Sequence, residues 1–260
     1  MAWRVLCLLW FAPMSDVGMV ELQPETLQAF DNYMRAAEAR LDQQIAGPRF
    51  LWSDGIAGAT RKLLRGQVVA EPWVGEGDIG ISGGLVHDWV GAVYIPGATL
   101  DGVLKMVQDY DRAKLSYQPE VMDSKLLAHN GDDFKVYMRL LKKKVLTVVL
   151  NTEHDVHYTR LDDTRCYSRS RTTRVAELQN PAGRDERELP PGKDHGFLWR
   201  LNSYWRFQQR DGGVYVECEA ISLSRNVPTG LGWLINPIVR TLPRDSLSNT
   251  LRRTREAFKK

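Results

Sequence analysis

The sequence predicts an α+β fold: about seven antiparallel strands in succession, a long C-terminal helix against them, and an additional N-terminal helix. Three observations predict it. Apolar residues alternate at a period of two through much of 121–225. Asn130–Gly131 and Asp211–Gly212 break that alternation with the residue types that tight hairpin turns demand. Helical periodicity is confined to the two ends of the chain and one interval near residue 100.

Taken in order, the first element is a helix over 24–45. Leu27, Phe30, Met34, Ala37, Leu41 and Ile45 recur at steps of three and four. Pro24 fits a first helical turn, and Gly47–Pro48 stops the helix. Residues 49–84 hold one short strand within TRKLLRGQVVAEPW and a glycine-rich loop, VGEGDIGISGG. VHDWVGAVYIP, 86–96, is a strand ending at Pro96–Gly97. Thr99 caps a helix with Leu100, Val103, Leu104 and Val107 on one face. Strands follow over 121–129, 134–140, 145–158 and 165–177. After a polar Pro/Gly-rich loop over 180–196, residues 197–209 and 214–225 form a last hairpin. Residues 231–242 are an apolar helix interrupted by Pro237 and Pro243; beyond Asp245, Leu247, Leu251, Thr254 and Phe258 line one helical face.

With 260 residues, 43% of them hydrophobic, and eight Trp, the chain builds a sizeable core. A formal charge of +3 offers no concentrated basic surface for nucleic acid. The run Lys142–Lys143–Lys144 reads as a solvated turn between strands. Three cysteines, Cys7, Cys166 and Cys218, show neither metal-ligand spacing nor a disulfide framework, and no cofactor is implied. The N-terminal stretch, 1–22, reads either as a signal peptide or as a disordered N-terminus, because its apolar run, 5–12, is about the minimum for a signal and too short to span a membrane. Export and cytoplasmic residence both stay open, as do oligomeric state and transient membrane contact.

Three clusters of chemistry-bearing residues need weighing. Gly75 to Gly80 spells G-x-G-x-x-G, but a strand rather than a helix follows, and Glu76 and Asp78 would repel phosphate. It reads as a loop. In Glu153–His154–Asp155–Val156–His157, Asp155 and His157 share one strand face and His154 points to the other. No third metal ligand is nominated, so solvent-facing or locally bonded residues are expected. Arg165, Arg169 and Arg171 share a face, expected to be solvated and paired with strand carboxylates.

The hairpin YWRFQQRDGGVYVECEA carries the most information. A turn at Asp211–Gly212 pairs Phe207 with Val216, Trp205 with Cys218 and Ser203 with Ala220 on one face. On the other face it pairs Arg206 with Glu217. Large aromatics stand opposite small residues on the first face, as a cavity wall requires. Glu217 and Glu219 are thereby expected at solvent.

From about Gly84 to the C-terminus the order of elements resembles the START-like, SRPBCC or helix-grip superfamily. The resemblance rests on WVGAVYIPGATLDGVLKMVQDYDRAKLSYQP, then the strands, then GVYVECEAISLSRNVPTGLGWLIN and LPRDSLSNTLRRTREAF. It implies a helix-grip domain over 84–260: a curved antiparallel sheet wrapped around the C-terminal helix. Residues 23–83, a helical extension with a glycine-rich loop, lie outside it. It also implies a cavity that binds or carries a hydrophobic small molecule of lipid, isoprenoid or polyketide-like kind. The expected lining is Trp205, Phe207, Val216, Trp233, Leu234 and Ile238. A cyclase, aromatase or hydrolase in the same cavity is the alternative, with Arg169, Arg171, Tyr167, His154 and Asp155 as its available polar groups. No catalytic set carries over from the family position by position. A third reading is a protein- or membrane-interaction module, which would leave an exposed apolar patch on 24–45.

Overall fold

A computed structural model describes residues 18–143, 147–226 and 232–258, with side chains from 241 onward in the last segment. The elements in chain order begin with strand β1 (Val20–Glu21), helices α1 (Pro24–Ala46) and α2 (Ala59–Leu64), and strands β2 (Val69–Pro72), β3 (Asp78–Ile81) and β4 (Gly84–Pro96). Helices α3 (Leu100–Val107) and α4 (Ala113–Ser116) follow, then β5 (Val121–Asn130), β6 (Asp133–Lys143), β7 (Thr147–Arg160) and β8 (Arg165–Gln179). Two-residue strands β9 (Arg187–Glu188) and β10 (Lys193–Asp194) precede β11 (Arg200–Arg210), β12 (Gly213–Arg225) and helix α5 (Gly232–Phe258).

The main sheet runs β2-β4-β12-β11-β8-β7-β6-β5, with β3 added beside β4 and β9 beside β8. Each pairing is antiparallel, including that of β12 with β4, which joins the first long strand to the last. The order strand, short helices, six strands and C-terminal helix is the helix-grip order. Thr99 caps α3 as its sequence position implies, its Oγ1 accepting the Gly102 amide at 3.2 Å. Asp211 and Gly212 both have positive φ, 55° and 73°, so the β11–β12 turn is of the primed type.

That turn sets the register the sequence implies: Phe207 opposite Val216, Trp205 opposite Cys218, Ser203 opposite Ala220 and Arg206 opposite Glu217. One face then packs with Val93, Ile95, Val216 and Cys218 against Leu247 and Leu251 of α5. The helix lies close to β4: a Cβ on Gly91 would stand 2.8 Å from Leu251 Cδ1. Small residues are therefore required where the grip is tightest.

Four expectations are corrected. The glycine-rich loop contains a strand, β3, paired with β4 through Asp78↔His87 and Ile79↔Val86; the backbone there needs only an edge to pair with. The C-terminal helix is one continuous element through Pro243 rather than an interrupted one. Lys142 does not sit in a solvated turn: β6 continues to Lys143, and Lys142 Nζ donates to Ser246 Oγ of α5 at 3.3 Å. Most important, Glu217 and Glu219 are not at solvent; they are 0% and 2% exposed. Helix α1 covers that face, seating Phe30, Met34, Ala37 and Leu41 on Val86, Tyr204, Ile221 and Leu223. Its apolar stripe is thereby consumed within the chain, so the apolar patch that an interaction module needs is not exposed on α1.

The N-terminal stretch expected as a signal peptide or disordered segment lies, up to residue 17, outside the described residues. From Val20 the chain pairs with β10. No helix among the described residues is long and apolar enough to cross a membrane.

Candidate functional site

The inner sheet face, α5 and the α3–α4 region enclose a cavity of about 390 Å³. Val136, Met138, Leu150 and Val156 come from the sheet, Tyr110 and Tyr117 from the two ends flanking α4, and Leu242 and Leu247 from α5. Trp205 and Phe207 stand on its wall, their rings parallel within 7° at 6.2 Å between centroids. Val216 is fully buried in the core cluster that includes Phe207 and Cys218. Cys218 and Ala220, the small partners in the hairpin register, do reach the wall. The side chains of Trp233, Leu234 and Ile238 lie outside the described residues.

Most polar groups of the wall are already partnered. Tyr110 and Tyr158 share a hydroxyl–hydroxyl bond of 3.0 Å, and Tyr117 Oη meets Thr254 Oγ1 at 3.1 Å. His87 uses both ring nitrogens, on Asp78 at 2.7 Å and Ser224 at 3.0 Å. Burial pushes the Lys142 ammonium down, opposed by Glu120. Cys166 and Cys218 are free and buried, and burial pushes the Cys166 thiol up to about 11. Such thiols are inert rather than nucleophilic. No group of His, Cys, Asp and Glu among the described residues is arranged to hold a metal.

Of the five polar residues that an enzyme reading would draw on, His154 alone lines the cavity. Arg169 pairs with Asp42, and Arg171 with Glu38, both on α1. Asp155 is exposed and Tyr167 packs with the outer cluster around Phe50 and Tyr215. The arginines thus face carboxylates on α1 rather than on strands. His154 follows the locally bonded alternative, its Nε2 lying 2.9 Å from Thr152 Oγ1; it is buried, and desolvation lowers its pKa to about 4. Alternation with Val156 and Tyr158 was the signal that places it inward.

The outer face is chemically the opposite. Under α1, Asp88, Glu217, Glu219 and Arg206 are all nearly or wholly buried. Arg206 Nε lies 3.2 Å from Glu217 Oε2, and Arg206 Nη1 donates to Gln44 Oε1 at 2.7 Å. Glu217 accepts the amides of Trp52 and Ser53 at 2.8 Å each. Arg40 reaches Glu219 and Asp88 while its guanidinium stacks over Trp73 at 3.9 Å. Tyr33 Oη donates to Asp88 Oδ2 at 2.6 Å. Burial first, and the neighbouring Glu219 second, push Asp88 up to about 7; burial also raises Glu219. These groups join α1 to the sheet and do not reach the cavity wall.

The geometry is similar to that of several solved structures. A protein of Thermus thermophilus matches 65% of this chain and 95% of its own at 15% identity and a TM-score of 0.48. A STAR-related lipid transfer protein fragment of Xanthomonas axonopodis matches 71% of this chain and 99% of its own at 19% identity and a TM-score of 0.47. The Zhui aromatase/cyclase of a Streptomyces species matches 67% and 94% at 11% identity and a TM-score of 0.43. At these scores the likenesses carry no argument about what this chain binds. No family model matches the chain, and no curated relative matches it.

Proposed function

We propose that this protein binds or carries a hydrophobic small molecule between the inner sheet face and α5. The observation that supports this reading is the apolar cavity of about 390 Å³ walled by Trp205 and Phe207. That volume lies in the range of small-molecule sites. Burying roughly 200 Å² of ligand apolar surface there contributes about 5 kcal/mol, before the cost of immobilising the ligand. Trp205 and Phe207 form the sheet side of the site, with Val216 packed behind them. Residues 84–260 are the binding unit, and residues 23–83 are an extension that covers its back.

Lipid extraction and native mass spectrometry of the purified chain test this. A bound apolar molecule, or uptake from a panel of fatty acids, isoprenoids and polyketides, is the expected result. A chain that is reproducibly empty and ignores the panel contradicts it.

A further inference from the structure

The cavity holds one polar strip whose hydrogen-bonding capacity is unspent. Thr152 Oγ1 donates to the Met138 carbonyl at 3.0 Å. A hydroxyl has one proton, so this oxygen can only accept from His154 Nε2, which lies 2.9 Å away. Nε2 therefore carries the proton of a neutral imidazole, and Nδ1 is left as a bare acceptor. Nδ1 has no partner among the described residues, and His154 lines the cavity. Burial that favours the neutral ring agrees with this tautomer.

Hydroxyls stand next to it. In the register of β7 with β8, Ser170 is opposite Val156 and Ser168 opposite Tyr158, on the face that His154 shares. Ser203 of β11 is opposite Ser170. Ser168 Oγ is buried without a partner, and Ser170 lines the cavity beside it. Buried polar atoms left orphaned in this way call for a missing partner. The wall's lysine is distant: Lys142 is six residues along β6 from Val136, the partner of His154, or about 20 Å.

We propose that the strip recognises a hydroxyl, so that the cavity takes an uncharged apolar alcohol or phenol, its O–H donated to His154 Nδ1 and its oxygen accepting from Ser170 Oγ. This rests on the binding reading above. Of hydroxyl, ketone and carboxylate, only the hydroxyl both donates and accepts through one atom. A carboxylate would set its lone pairs against that of Nδ1. A ketone has no proton to give.

Calorimetry on the full chain with naphthol, methylnaphthalene and naphthoate tests it. Naphthol is expected to bind about tenfold more tightly than methylnaphthalene, the worth of one well-placed hydrogen bond, and naphthoate more weakly than both. His154→Leu is expected to reduce the ratio of naphthol to methylnaphthalene affinity to within about twofold of unity. Nitrogen NMR of the unaltered chain gives a readout independent of any variant: the bare Nδ1 resonance moves with naphthol and not with methylnaphthalene. Equal binding of naphthol and methylnaphthalene, a preference that survives His154→Leu, or an unmoved Nδ1 overturns the hydroxyl assignment and leaves the cavity reading standing. If none of the three binds, both fall together.

Discussion

On β12, Cys218 and Ala220 look into the cavity while Glu217 and Glu219 look into α1, one residue apart along the same strand. Both faces are buried, and they solve burial in opposite ways. The inner face is apolar with neutral hydroxyls and leaves space. The outer face is charged and cross-linked to α1. The difference teaches that burial alone does not mark a site. The outer face, with three buried carboxylates and shifted pKa values, has the look of an active centre. Yet its charges are engaged with one another and with a helix of the same chain, as in a structural ion-pair network.

The comparison is most forcefully broken by removing one member of the outer network. Glu217→Leu leaves Arg206 buried beside a lost partner and also frees the Trp52 and Ser53 amides. The expected loss is about 3–5 kcal/mol in urea unfolding. Joint replacement by Arg206→Met and Glu217→Leu is expected to recover much of it, because the charge that made the single change costly is gone. On the inner face, Trp205→Ala is expected to weaken binding of an apolar probe by about tenfold or more. It should unfold at a urea midpoint much nearer the parent's than that of Glu217→Leu.

The two faces also differ in sign with pH. Asp88 has its pKa raised from 3.8 to about 7, so the folded state holds a proton that the unfolded state releases. Its contribution is fully present below pH 4 and is lost as pH rises through about 7. His154 is lowered from 6.5 to about 4, so its contribution is present above pH 6.5 and lost as pH falls through about 4. Between these limits the outer face gains stability on acidification and the inner face loses it. Asp88→Asn is expected to shift the pH dependence toward loss of stability on acidification, and His154→Leu toward gain, in urea midpoints measured across that window. An effect of the same sign from both variants would dissolve the contrast. The smallest expected effect is from Ser203→Ala, whose Oγ accepts only a 3.3 Å bond from Trp205 Nε1: a midpoint shift equivalent to less than about 1 kcal/mol.

Much of the sheet was legible in the sequence. The alternation of Phe134, Val136, Met138 and Leu140 and the turn at Asp211–Gly212 are local signals, and they place strands and register correctly. What local signals cannot report is what covers a face. Glu217 and Glu219 read as solvated because carboxylates on a strand usually are; only segments more than 160 residues away in sequence bury them, the Trp52 and Ser53 amides on Glu217 and Arg40 on Glu219. Lys142 misleads in the same way, since its partner Ser246 is supplied by α5. Alternation puts His154 on the face opposite Asp155 and His157, but whether that face is buried stays open in the sequence, because the side of the sheet that α5 occupies is a tertiary fact. The strand β3 is hard to read because it is only four residues long, Asp78–Ile81, and its two isoleucines sit in a run of glycines that signals a loop.

The measurement that tests this division of labour most directly is photo-crosslinking of the full chain with a diazirine-bearing long-chain alcohol, followed by mapping of the labelled residues. The account predicts labels on the inner wall, at residues such as Met138, Val156, Trp205 and Leu247. Labels confined to α1 and the outer face, at Tyr33 or Tyr204 for instance, would contradict it.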